Sequence, residues 1–139
     1  MPQLELSAHI AAPPSLVYAV VADAEQYPAF LPDVVSVQRR GDVVDMTVRM
    51  GLVPVRLVSR ARFIPGQAID LEQIDGPFRA FRARWTFAPR GDGTDVAYHA
   101  DYELPLFGLL FAGVGGYLLE QQTQRQIRAF ESRVLAQRA

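Results

Sequence analysis

The chain holds only two histidines, and one of them sits two residues from a carboxylate. On any strand, His99 and Asp101 share a face, which is the arrangement of a general base and its orienting partner. The same alternation puts Ala97 and Glu103 with them and Tyr98 and Tyr102 on the opposite face. The pair is therefore expected to look at solvent. His9 likewise falls on the polar parity of its own segment, and no serine is placed to complete a nucleophilic triad. With no cysteine, thiol nucleophiles, thiolate metal sites and disulfides are all excluded. Two separated histidines among scattered carboxylates carry no metal-site spacing, and no cofactor is implied. Arg-Gly-Asp occurs at residues 40–42 and 90–92, both expected as hairpin tips. What remains to meet a ligand chemically is the hydroxyl of Tyr98 and of Tyr102, each able to hydrogen-bond an oxygen.

The elements that must position these groups follow from pattern. A chain of 139 residues with 50% hydrophobic and 21% charged residues suits one globular domain, 1–139. Fourteen basic residues, every one of them arginine, against fifteen acids give a net charge of −1. No overall field therefore favours nucleic acid or an anionic surface. Residues 1–15 lack the basic region and apolar run of a signal peptide, so a cytoplasmic location is expected.

Leu4, Leu6, Ala8 and Ile10 alternate with polar residues, the period of a half-buried strand. Pro13 and Pro14 open a helix whose stripe is Leu16, Val17, Val20 and Val21. The proline-containing residues 23–33 are expected as short helical turns. Strands are predicted over 34–40, 43–50, 53–64, 69–74, 81–88 and 95–103, separated by tight turns. Thr123, Ile127, Phe130 and Val134 then mark one face of a long C-terminal helix. The fold class is α+β: an antiparallel sheet of about seven strands, two short helices after the first strand and a long terminal helix.

Strand parity separates the faces. Val55, Leu57, Ala61 and Phe63 point one way and Arg56, Arg60 and Arg62 the other. Phe81, Ala83, Trp85 and Phe87 oppose Arg82 and Arg84, and Ile69 and Leu71 oppose Asp70 and Glu72. The outer face becomes an Arg–acid–Arg ladder, each cross-strand pair contributing a few tenths to about 1 kcal/mol. Val44, Met46, Val48 and Met50 form a further inward row, adaptable because of its methionines.

Residues 104–119 carry no charge, yet Gly108, Gly113, Gly115 and Gly116 interrupt them. The stretch is too short for a membrane span of about 18–20 residues. Extended backwards, the helix seam runs Leu119, Gly116, Ala112, Leu109. Either these small residues pack backbone closely on the sheet, or the helix begins only near Tyr117, or they leave volume unfilled beneath an apolar roof. The third reading makes a hollow of roughly 300–1,000 Å³ for a lipid-sized ligand.

The segments DAEQYPAFLP (residues 23–32), DGPF (75–78) and WTFAP (85–89) resemble the coenzyme Q-binding and polyketide cyclase/dehydrase-like branch of the START-like (SRPBCC) superfamily. The resemblance extends to element order over nearly the whole chain. It implies a helix-grip fold, a curved sheet wrapping the last helix around an apolar cavity. It implies Tyr27, Phe30 and Leu31 at the cavity mouth, Trp85 on the inner face and Phe78 in a loop near it. Together with the inward rows, the expected lining is Tyr27, Phe30, Leu31, Met46, Val48, Met50, Leu57, Phe63, Leu71, Phe78, Phe81, Trp85, Tyr98, Tyr102, Leu109, Ala112, Gly116 and Leu119.

The leading expectation is a non-catalytic carrier of a hydrophobic small molecule, an isoprenoid quinone or other lipid, with transient membrane contact and no nucleic acid. Residues 113–116 and 27–32 are the expected gate. A polyketide aromatase/cyclase is the second reading. It needs acid–base groups inside the cavity, for which Asp45, Arg49 or Gln73 would have to turn inward. A ribosome-association factor using the arginine-bearing outer face is the third. Oligomeric state is left open.

Overall fold

Alternating apolar and polar residues become seven strands of one curved antiparallel sheet, in the order β1-β7-β6-β5-β4-β3-β2. The structure, a computed structural model, describes residues 3–50, 52–103 and 112–138, with 50, 112–118 and 138 described by backbone alone. The chain runs β1 (Gln3–Ile10), α1 (Pro14–Ala22), a single 3-10 turn (Ala24–Gln26) and α2 (Tyr27–Phe30). It continues through β2 (Val34–Arg40), β3 (Val43–Met50), β4 (Val53–Ile64), β5 (Ala68–Asp75), β6 (Ala80–Arg90) and β7 (Gly93–Glu103) to α3 (Ala112–Arg138).

Each of β2 to β7 pairs with its sequence neighbour through a hairpin, whereas β1 closes the far edge against β7. The segment from α1 to α2 therefore carries the chain from one edge of the sheet to the other. Pro13 and Pro14 start α1, where a missing amide hydrogen goes unneeded. Gly41 and Gly91 take left-handed φ of 62° and 59°, so both Arg-Gly-Asp tripeptides are hairpin tips. Register shifts between Val34 and Ser36 and between Val58 and Ser59 bend β2 and β4. Strands β5 and β6 run slightly past their predicted ends because their partners persist, as in the pairs Ile64↔Ala68 and Arg90↔Gly93.

All helices cover the inner face, as a helix-grip fold requires. There Ile10, Ala61, Ile69, Trp85, Phe87 and Val96 meet Val17, Val20 and Val21 of α1 and Ile127, Phe130 and Val134 of α3. Leu4, Phe81, Ala83, Ala100 and Tyr102 form a second buried cluster. The outer face carries the charge ladder, with Arg84 Nε 2.7 Å from Asp70 Oδ1. One sequence alternative is corrected: α3 does not begin near Tyr117, since its backbone is helical from Ala112 through the glycines. Among the described residues, no helix is long and apolar enough to cross a membrane.

Candidate ligand-binding hollow

Between the inner sheet face and α3, the described residues enclose a hollow of about 140 Å³. It is smaller than a lipid-sized pocket of roughly 300–1,000 Å³, and aromatic packing is the reason. The Phe130 ring of α3 lies 5.3 Å from Tyr27, 5.4 Å from Trp85 and 5.6 Å from Phe30, closing one end. At the other end Phe78 stacks on Phe81 at 5.0 Å. Phe81 and Trp85 are four residues apart on β6, so the two aromatic groups stand about 13 Å apart along the strand.

The walls come from alternate residues of neighbouring strands: Val44, Met46 and Val48 on β3, Val55, Leu57 and Ser59 on β4, and Leu71 on β5. Phe81, Trp85 and Tyr98 continue them across β6 and β7, while Tyr27, Leu31 and Val34 are supplied by α2, its C-cap and the start of β2, and Pro77 and Phe78 by the β5–β6 loop. That loop is pinned by Gln73, whose Nε2 donates to the Phe78 carbonyl at 2.8 Å and whose Oε1 accepts from the Phe78 amide at 3.2 Å.

The roof is the face of α3 bearing Leu119, Gln122, Thr123, Gln126 and Phe130. Leu119, Thr123 and Phe130 of the predicted seam take part, while Ile127 and Val134, buried as that seam requires, pack into the core beside the hollow. Gln122 Nε2 donates to the Arg49 carbonyl at 2.7 Å, and Thr123 donates to the Leu119 carbonyl at 2.8 Å. The hydroxyls of Ser59 and Tyr98 and the amide of Gln126 have no hydrogen-bond partner among the described residues. Burial raises the Tyr98 pKa well above the ordinary phenol value, so its hydroxyl keeps its proton and can donate. Burial also raises Tyr27, with smaller contributions from Asp23 and Tyr98, and its hydroxyl is tied to the Val21 carbonyl.

Of the expected lining, Tyr27, Leu31, Met46, Val48, Leu57, Leu71, Phe78, Phe81, Trp85, Tyr98 and Leu119 come together around the hollow. Three residues do not. Phe30 packs edge-on against Tyr27 and Phe130, with the Arg133 guanidinium 5.0 Å above its ring. Phe63 lies where β4 has outrun β3, whose pairing ends at Val43↔Arg60, and the Arg39 guanidinium covers it at 4.2 Å. Tyr102 belongs to the second cluster, buried against Leu4, Ala100 and the Phe78 ring. Leu109 and the side chains of Met50, Ala112 and Gly116 lie outside the described residues.

The expected lining omitted Val34, Val44, Val55, Ser59, Pro77, Gln122, Thr123, Gln126 and Phe130. Ser59, Gln122 and Gln126 escape a search for apolar residues, but position could have found them. Ser59 lies midway between Leu57 and Ala61 on one strand face, and the glutamines are three and seven residues beyond Leu119.

The catalytic candidates point elsewhere. Asp45 is held by Arg56 on the outer side at 2.7 Å, the Arg49 side chain is exposed, and Gln73 has its amide engaged at Phe78. His99 does meet Asp101, at 3.2 Å, and also Glu5 at 3.0 Å, but on the outer face. His9 pairs with Asp95 at 2.9 Å on the same side. Among the described residues no group of three or more His, Asp or Glu could hold a metal.

Comparison with known proteins agrees with this architecture. A Thermus thermophilus protein superposes with a TM-score of 0.90 at 26% identity, over 99% of this chain and 100% of its own. A Streptomyces aromatase/cyclase also superposes at 0.90, with 17% identity over 99% of this chain and 96% of its own, a likeness of fold. The ribosome association toxin RatA of Escherichia coli is 23% identical over 145 residues, 96% of this chain and 92% of the toxin. RatA of Pseudomonas aeruginosa is 26% identical over 136 residues, 88% of this chain and 93% of that protein. The model of the family "Polyketide cyclase / dehydrase and lipid transport" matches residues 10–131, and with a helix-grip sheet closed over an apolar hollow the chain belongs to that family.

Proposed function

We propose that the protein binds and carries a hydrophobic small molecule in the hollow beneath α3, with an isoprenoid quinone or another lipid as the class of cargo. The observation that carries this reading is the wall of Met46, Leu57, Phe81 and Trp85 around a Tyr98 hydroxyl that makes no hydrogen bond to a described residue. Binding would be driven by moving apolar ligand surface out of water, at roughly 25 cal/mol per Å², less the cost of immobilising the ligand. The hollow has room for a head ring, so a long tail would extend past the described walls. Transient membrane contact during loading is part of the reading. It is supported by Leu52 and Val53 at the β3–β4 hairpin, which are 98% and 61% exposed. Native mass spectrometry after incubation with a short-chain quinone and with a fatty acid tests it. Uptake of either supports a carrier, and uptake of neither overturns it.

A second reading has an observation of its own. The curated relatives named above are ribosome association toxins, and the outer sheet face forms a broad groove bearing Arg60, Arg62, Arg82 and Arg84. Arg84 is engaged by Asp70 and Arg60 lies 3.6 Å from Asp42, whereas Arg62 and Arg82 have no ion-pair partner among the described residues. Cosedimentation with large ribosomal subunits that is lost in Arg62→Glu/Arg82→Glu would favour this reading; no cosedimentation of the unaltered protein would end it. A polyketide cyclase-like role is also supported by the family match, but Asp45, Arg49 and Gln73 are all engaged or exposed away from the hollow.

A further inference from the structure

The hollow's polar groups are of one electrical kind. Ser59, Gln122, Thr123, Gln126 and the two tyrosines are neutral, and no acidic, basic or histidine side chain lines it among the described residues. Residues 104–118 cannot supply one either, because none of them is charged. A ligand bearing a net charge would leave water without gaining a counter-ion, which is strongly unfavourable in an apolar enclosure.

Three of these groups are also open to a ligand. Ser59 lines the hollow, and its hydroxyl makes no hydrogen bond to another described residue. Tyr98 on the opposite wall and Gln126 on the roof are open in the same way. Among the described residues no fully buried side-chain nitrogen or oxygen lacks a partner, so these groups are reached from the hollow, where a ligand oxygen can hydrogen-bond them. The volume sets the size: a cavity of about 150 Å³ accepts a benzene ring, and this one is about 140 Å³.

We propose that the hollow selects an uncharged, ring-sized molecule or head group carrying a carbonyl or hydroxyl oxygen, through Ser59, Tyr98 and Gln126. The inference rests on the ligand-carrier reading and narrows it. Quinones, aromatic ketones and phenols fall inside the class; fatty-acid anions and phosphorylated head groups fall outside it.

Three probes of matched size separate the possibilities at pH 7: acetophenone (neutral, with a carbonyl), benzoate (anionic) and ethylbenzene (neutral, without oxygen). Amide NMR titration of the full chain gives each dissociation constant and shows whether hollow residues respond. Acetophenone is expected to bind at least tenfold more tightly than either of the others. Benzoate binding as tightly as acetophenone overturns the charge selection, and ethylbenzene doing so overturns the role of the polar groups. If none of the three shifts hollow residues, this inference is overturned, while the carrier reading stands or falls on quinone and fatty-acid uptake. Gln126→Leu, which replaces one polar helix residue, and the double variant with Ser59→Ala are expected to weaken acetophenone at least fivefold and leave ethylbenzene as tight or tighter. An unchanged acetophenone affinity in variants with native amide spectra overturns the assignment of those residues.

Discussion

Trp85 and Tyr98 are cross-strand partners on β6 and β7, with ring centroids 4.8 Å apart and planes tilted by 53°. The indole thus borders both the hollow and the hydroxyl proposed to meet the ligand. It is also the chain's one tryptophan, which makes it a reporter already in place.

Tyr98→Phe is expected to leave stability within about 1 kcal/mol of the unaltered protein, because the hydroxyl it removes has no partner among the described residues. Quenching of Trp85 fluorescence by a short-chain quinone should move to several-fold higher concentration in the variant. Equal quenching curves would show that the Tyr98 hydroxyl does not meet the ligand.

Gln73→Ala removes both hydrogen bonds that hold the backbone of Phe78. A loss of about 1–2 kcal/mol in urea unfolding is expected, together with faster hydrogen exchange at the Phe78 amide. The Phe78–Phe81 stack closes one end of the hollow, so ligand exchange should quicken as well. Unchanged exchange at Phe78 would mean the loop is held by other contacts.

Asp33, between α2 and β2, adopts a left-handed φ of 70° while its carbonyl accepts from the Arg49 amide and its carboxylate meets Arg125 of α3. Asp33→Gly and Asp33→Ala both remove the carboxylate, and only alanine is strained by that backbone. The alanine variant should be less stable by about 1 kcal/mol, measurable as a difference in urea midpoint. Equal midpoints would show that the turn relaxes without cost.

The hydrogen bond from Arg56, aided by its charge and that of Arg40, holds the Asp45 carboxyl below its ordinary value of 3.8 despite some opposing desolvation. A depressed pKa adds stability above the unfolded-state value, and that stability is lost as pH falls through the folded-state value. Asp45→Asn should therefore be slightly less stable than the unaltered protein at pH 7. The gap should shrink as pH drops below about 4. A gap that stays constant down to pH 2 would rule out the ion pair as its source.

The limits of sequence reasoning show in particular residues. Strand parity put Leu57, Leu71, Trp85 and Tyr98 on the inner face, and they meet there. Parity also named Phe63 and Tyr102, which are inward but displaced from the hollow, one because β4 outruns β3 and the other because it packs with Leu4 and Ala100. Alternation says which face a side chain takes and nothing of its distance along that face from a cavity. The search by hydrophobicity likewise missed Ser59, Gln122 and Gln126, because a polar residue facing inward looks in sequence like one facing water.

What the sequence by itself determined is the order of elements, the antiparallel hairpin sheet and the assignment of charge to its outer face. These depend on periods of two and 3.6 residues and on turn chemistry, which are local properties. Only the tertiary structure decided the rotation of α3 about its axis, which turns Gln122 and Gln126 over the hollow and Ile127 into the core. It also decided the volume left between the Phe130 and Phe78 aromatic groups. Both are set by how large side chains from distant strands interlock, and that contact pattern is carried by no single segment of the chain.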